Sequence, residues 1–156
     1  MKQLLSIFLF LFLPLLCEAS TITHLQLEGA IGPSSSSYLS KGFAYAAEKS
    51  SSAVLISLDT PGGLAESMRE MIQEVLNSPR PVIIYVSPKG ARAASAGTYL
   101  LYASHIAAMA PGTNLGAATP VSLMPTQNKD LNLTTSAMEK KVINDSIAYI
   151  LSLIHI

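Results

Sequence analysis

Cysteine is almost missing from this 156-residue chain, and the single one, Cys17, sits inside the N-terminal apolar run. Once that run is removed as a leader, the mature chain has no thiol, which excludes disulfides, thiol catalysis and cysteine-built metal sites. Charge is scarce as well: 13% of residues are charged, ten basic against ten acidic. No basic stripe is present to hold nucleic acid, and no net field steers an anionic partner. Histidine is confined to His24, His105 and His155, and no internal repeat occurs. Apolar side chains are what remains abundant, 49% of residues, in a length that accommodates one domain around one core.

The two ends read differently from the middle. Met1-Lys2-Gln3, the apolar run Leu4 to Cys17 and then Glu18-Ala19-Ser20 give a positive start, a hydrophobic region and a small-residue cleavage site. The run falls short of the roughly 20 apolar residues that a membrane span requires. Residues 1–19 are therefore expected to be a signal peptide, which puts the domain on the periplasmic or extracytoplasmic face of the membrane. At the other end, Leu151-Ser152-Leu153-Ile154-His155-Ile156 is what a common transposase sequencing adaptor encodes in frame. The native sequence is expected to end near Ile150, with 151–156 a non-native tail; a genomic contig that runs on uninterrupted past this codon would contradict that.

Between the ends, hydrophobic period sets the elements. Thr21 to Glu28 alternates, with Ile22, His24 and Gln26 on one face against Leu25 and Leu27, the period of a strand. Gly32-Pro33 and the four serines after it make a loop and helix start, and Tyr38 to Lys49 then carries Leu39, Phe43 and Ala46 or Ala47 at helical spacing. Ala53 to Leu58 and Pro81 to Val86 are short continuous apolar runs, the pattern of strands buried on both faces, and the amphipathic segment Leu64 to Asn77 lies between them. Ile106 to Ala110 supplies another strand, Pro111 to Ala118 a glycine-rich turn, Ser122 to Thr135 a polar loop and Met138 to Ile150 the last helix. Strand, helix, strand, helix implies an α/β fold of parallel strands joined by crossover helices.

Two motifs carry chemistry. Gly90-Ala91-Arg92-Ala93-Ala94-Ser95-Ala96-Gly97-Thr98 sets one serine among residues too small to cover it, about thirty residues after Asp59-Thr60-Pro61-Gly62-Gly63. Acyl transfer needs a hydroxyl exposed at a strand-to-helix turn and backbone N–H groups aimed at the oxygen that becomes negative. Ser95 fits the first requirement. The amides of Gly63 or its neighbour Gly62, and of Ala96 in the first turn of the following helix, fit the second, since those donors have no intrahelical partner and glycine adds no side chain in the way. Asp59 reads as a turn residue, and Arg92 as a capping or solvated one that could also bind an anion.

A serine hydroxyl needs a base to take its proton, and histidine is the usual one. Here His24 lies on the first strand, His105 begins the strand directly after the serine's helix and His155 lies in the tail, so a Ser-His-Asp triad is not expected. The last helix offers Lys140 and Lys141. On a 3.6-residue period Lys140, not Lys141, shares a stripe with Ile143, Ile147 and Ile150.

These motifs, together with Pro81 to Pro88, Ala107 to Ala118 and Lys141-Val142-Ile143-Asn144-Asp145, resemble the N-terminal protease domain of the NfeD family over roughly residues 21 to 150. That family comprises membrane-associated serine proteases of the ClpP/crotonase fold. The resemblance implies a ClpP/crotonase-like α/β domain, incomplete at the C-terminus, that needs neither cofactor nor metal. It implies a Ser-Lys dyad, and the family's Lys-x-x-Asn pattern falls on Lys141 ahead of Asn144, so family register and helical phase point to different lysines. Lys141 works as general base only as the neutral amine, which requires apolar surroundings. The implied activity is a serine endopeptidase acting on a hydrophobic peptide or protein substrate, with a stomatin-like membrane protein as partner, no nucleic acid, and a homo-oligomeric assembly. The alternative is a non-catalytic scaffold of the same fold that binds apolar membrane-protein segments without cutting them; crotonase-type thioester chemistry would use the same oxyanion architecture with no need of the serine.

Overall fold

Residues 20–119 and 132–154 are described by a computed structural model, so the expected leader with Cys17, most of the expected polar loop, and His155 lie outside the described residues. Strand β1 (Ile22–Glu28) leads through helix α1 (Pro33–Glu48) to β2 (Ala53–Asp59). Pro33 stands at the helix start, where a missing N–H costs nothing, and the Ser35 hydroxyl donates to the Gly32 carbonyl while accepting from its N–H. Helix α2 (Ala65–Leu76) then crosses back to β3 (Val82–Val86), and a further crossover ends at β5 (Ile106–Met109). The four strands are parallel in the order β1-β2-β3-β5.

That order explains a difference from the expected double burial. Strands laid down successively in one direction, each joined by a right-handed crossover, send every connecting helix to the same side of the sheet. Thr23, Leu25 and Leu27 register with Val54, Ile56 and Leu58, and these with Val82, Ile84 and Val86, and all are buried on that side. Ala53, Leu55, Ser57, Ile83 and Tyr85, on the other face, are only half-buried. Met68, Met71, Ile72 and Val75 of α2 complete the core. The serine-rich start of α1 has a packing role as well: the Ser36 and Ser40 hydroxyls donate to Glu70 and Glu74 of α2, each pair one helical turn from the next.

Two short strands escaped the sequence reading. β4 (Arg92–Ala94) and β6 (Asn114–Gly116) form a separate parallel pair, β6 lying inside the expected glycine-rich turn. Between them run helix α3 (Ala96–Ala103) and β5. The final helix, α4 (Asn132–Ile154), begins six residues before the expected Met138, because its polar first turns carry no apolar period to reveal them. It continues into the segment expected to be foreign, where Leu153 is buried against the core. No helix among the described residues is long and apolar enough to cross a membrane.

Candidate active site

Parallel strands leave their functional loops at the C-terminal edge of the sheet, and both chemical motifs lie there. Asp59 and Thr60 close β2. Thr60 bridges to Ala93 of β4: its N–H donates to the Arg92 carbonyl at 2.7 Å, and its carbonyl accepts from the Ala94 N–H at 3.1 Å. The wholly buried Thr60 hydroxyl donates to the Gly29 carbonyl at 2.7 Å and accepts from the Gly62 N–H at 3.0 Å. Asp59 accepts from the Arg92 N–H at 3.0 Å, the turn-fixing contact its position suggested. The glycine turn and the serine-bearing segment are thus tied together by backbone.

Ser95 sits at the junction of β4 and α3 with φ +51° and ψ −116°, a conformation that a side chain disfavours and glycine adopts at little cost. It is held there by its own N–H, which donates to the Gly116 carbonyl at 2.8 Å, and by its carbonyl, which accepts from the Thr98 N–H at 2.9 Å. The buried Thr98 hydroxyl donates to the Ala93 carbonyl at 2.8 Å and accepts from the Gly116 N–H at 3.0 Å, fastening β6 beside the turn. The Ser95 hydroxyl makes no hydrogen bond among the described residues.

Gly62 lies against the serine. A Cβ there would stand 2.5 Å from the Ser95 Cβ and 3.0 Å from its Oγ, and the residue has φ +105°. Its amide is committed to Thr60, whereas the amides of Gly63 and Ala96 make no hydrogen bond among the described residues. Gly62→Ala is therefore expected to combine overpacking with left-handed backbone strain, each a cost of roughly 1–3 kcal/mol. A thermal melt should show a fall of several degrees, and the Ser95 hydroxyl should lose its reactivity toward an acylating probe. A variant that melts and reacts like the parent would remove Gly62 from contact with the serine.

The remaining predicted residues are elsewhere. His24 shares a 2.8 Å hydrogen bond with Ser57 on the open face of the sheet, and His105 accepts through Nδ1 from the Val82 N–H, at the N-terminal edge, opposite to the serine. Lys140 and Lys141 are both exposed on α4, so the apolar surroundings expected for a lysine base are not found around Lys141 among the described residues, and no hydrogen bond joins either lysine to Ser95. What α4 does contact is α2 and α3. Arg69 donates to Asp145 at 2.8 Å and lies over the Tyr149 ring at 4.2 Å, Tyr149 stacks on Tyr99 at 6.0 Å, and the Tyr99 hydroxyl reaches the carbonyls of Ala118 at 3.1 Å and Ser146 at 3.4 Å. Burial pushes the Tyr149 phenol above its usual range, and the Arg69 cation opposes that rise. The packed face of α4 runs through Ile143, Ser146, Tyr149, Ile150 and Leu153, so two of the three isoleucines in the stripe shared with Lys140 lie toward the core while Ile147 is half exposed. Asp145 reaches Arg69 from the exposed flank of that face. Lys141 stands one turn before Asp145 on the same side of the helix.

A sequence profile described as "NfeD1b, N-terminal domain" matches residues 21–143. The chain belongs to this family. It is 40% identical over 153 residues to the "membrane-bound protease PH1510" of Pyrococcus horikoshii, covering 97% of this chain and 34% of that protein. It is 35% identical over 105 residues to "membrane protein NfeD1b" of Bacillus subtilis, covering 67% and 23%. Among solved structures, a serine-to-alanine mutant of the "1510-N membrane-bound stomatin-specific protease" superposes with a TM-score of 0.72 at 35% identity, over 87% of this chain and 63% of that one. A lysine-to-alanine mutant of the same protease in complex with a substrate peptide gives 0.70 at 38%, over 86% and 59%. The NfeD chain described here therefore spans about a third of the length of the Pyrococcus relative and about a quarter of the Bacillus one. Its α/β architecture of parallel strands and crossover helices is the one those solved protease domains share.

Proposed function

We propose that this NfeD domain is the catalytic part of a serine endopeptidase, with Ser95 as nucleophile and Lys141 as general base. The observation that carries the reading is a serine held at positive φ where glycine would cost less, with two uncommitted amides close by. Backbone strain of that kind exposes an Oγ at the top of a strand-to-helix turn. As Oγ attacks the peptide carbonyl carbon, the neutral Lys141 amine takes its proton, and the carbonyl oxygen becomes an oxyanion received by the N–H groups of Gly63 and Ala96. Collapse breaks the C–N bond, the lysine ammonium returns the proton to the departing amine, and water then hydrolyses the acyl-serine with the same base. A serine and a lysine are the two residue types altered in the solved 1510-N mutants, which supports the pairing.

The substrate proposed is an extended apolar segment of a membrane-associated protein, a stomatin-like partner among them, met on the extracytoplasmic side by a homo-oligomer. The support lies in exposed apolar side chains that flank the two motifs in sequence. Leu64 directly follows Gly63 and is 45% exposed; Leu115, registered with Ala93, is 40% exposed, and Met109 is 38% exposed. Each large side chain buried there contributes about 1.5–3 kcal/mol, whereas an unpaired buried charge is costly. A mixed peptide library presented to the full-length protein is expected to be cut within leucine, valine or phenylalanine runs. A preference for a charged residue immediately before the cut would overturn this specificity.

A further inference from the structure

The contacts that seat α4 lie outside the chemistry described above, yet they join the serine's helix to the lysine's. Tyr99 stands one turn beyond Ser95 on α3 and is buried. Its ring stacks on Tyr149 with an interplanar angle of 23°, and Arg69 of α2 covers Tyr149 while bridging to Asp145. Asp145 and Tyr149 follow Lys141 by one and two turns. An exposed ion pair alone would stabilise this arrangement little, since both partners are well exposed. The guanidinium gains more from the ring beneath it, and the two rings set the direction of approach.

We infer that Arg69, Tyr149 and Tyr99 form a clamp that fixes the position of α4 against the serine's helix, and that Arg69 and Tyr149 are positioning residues for Lys141. The inference rests on the Ser95–Lys141 reading. A general base displaced by about 1 Å can lose on the order of 10²-fold in rate while substrate binding is untouched, so the clamp should act on kcat and not on KM.

The test is steady-state cleavage of one apolar peptide by the full-length protein carrying Arg69→Met, Tyr149→Leu or Tyr149→Phe, with thermal melts alongside. Arg69→Met and Tyr149→Leu are expected to lower kcat by roughly 10–100-fold with KM held within about twofold, and Tyr149→Phe, which keeps the ring, to restore most of the rate. Arg69 is half exposed, so its replacement leaves the core in place and remains informative even where Tyr149→Leu melts early. A full rate in Arg69→Met and Tyr149→Leu, or a loss expressed in KM alone, would overturn the clamp. Ser95→Ala and Lys141→Ala run in parallel separate the two levels: if both are inactive while the clamp variants work normally, only the clamp falls, and if Ser95→Ala still cuts, the functional reading beneath it falls.

Discussion

Ser95→Ala is expected to reduce peptide cleavage by roughly 10⁴–10⁶-fold, the loss seen when a serine nucleophile is removed and only binding and oxyanion contacts remain. Stability should hardly move. The Ser95 hydroxyl has no hydrogen-bond partner among the described residues, alanine suffers the same positive φ as serine, and the methylene packed against Gly62 is kept. A change of this sort stays within about 0.5 kcal/mol, or one to two degrees in melting temperature. Cleavage assays and melts on the same preparation check both halves. Activity above a tenth of the parent's would remove Ser95 from its role.

Lys141→Ala is expected to lower the rate by about 10²–10⁴-fold, the usual worth of a positioned general base, while Lys140→Ala stays within about twofold. The distinction comes from the Lys-x-x-Asn register. Lys141 lies one turn before Asp145, which meets Arg69, whereas Lys140 shares a stripe with the half-buried Ile143 and Ile150 and the half-exposed Ile147. Kinetics of the two alanine variants on one peptide decide the matter. The reverse result would make Lys140 the base and the family register a misleading guide.

The parts of this structure that sequence revealed are those with long apolar periods. Leu25 and Leu27 alternating with exposed neighbours, the runs Ala53 to Leu58 and Pro81 to Val86, and Met68, Met71, Ile72 and Val75 at helical spacing are each long enough to stand out, and each puts one face in the core. β4 and β6 were invisible because three residues cannot display a period, and their pairing is set by non-local bonds such as the one from the Ser95 N–H to Gly116. The positive φ at Ser95 was equally hidden, since serine carries no signal for it; only the small residues on both sides hinted that the turn was tight. The seating of α4 was legible only in part. Ile143 and Ile150 turn toward the core as their apolar period suggests, whereas the contacts of Asp145 and Tyr149 depend on Arg69 and Tyr99, which are distant in sequence.

Whether Ser95 is an activated nucleophile can be read from fluorophosphonate labelling of the full-length protein followed by peptide mass mapping. One adduct is expected, on Ser95, absent in Ser95→Ala and formed far more slowly in Lys141→Ala. No adduct on the folded parent protein, or labelling that persists unchanged in Ser95→Ala, would contradict it and leave the groove to the non-catalytic binding role.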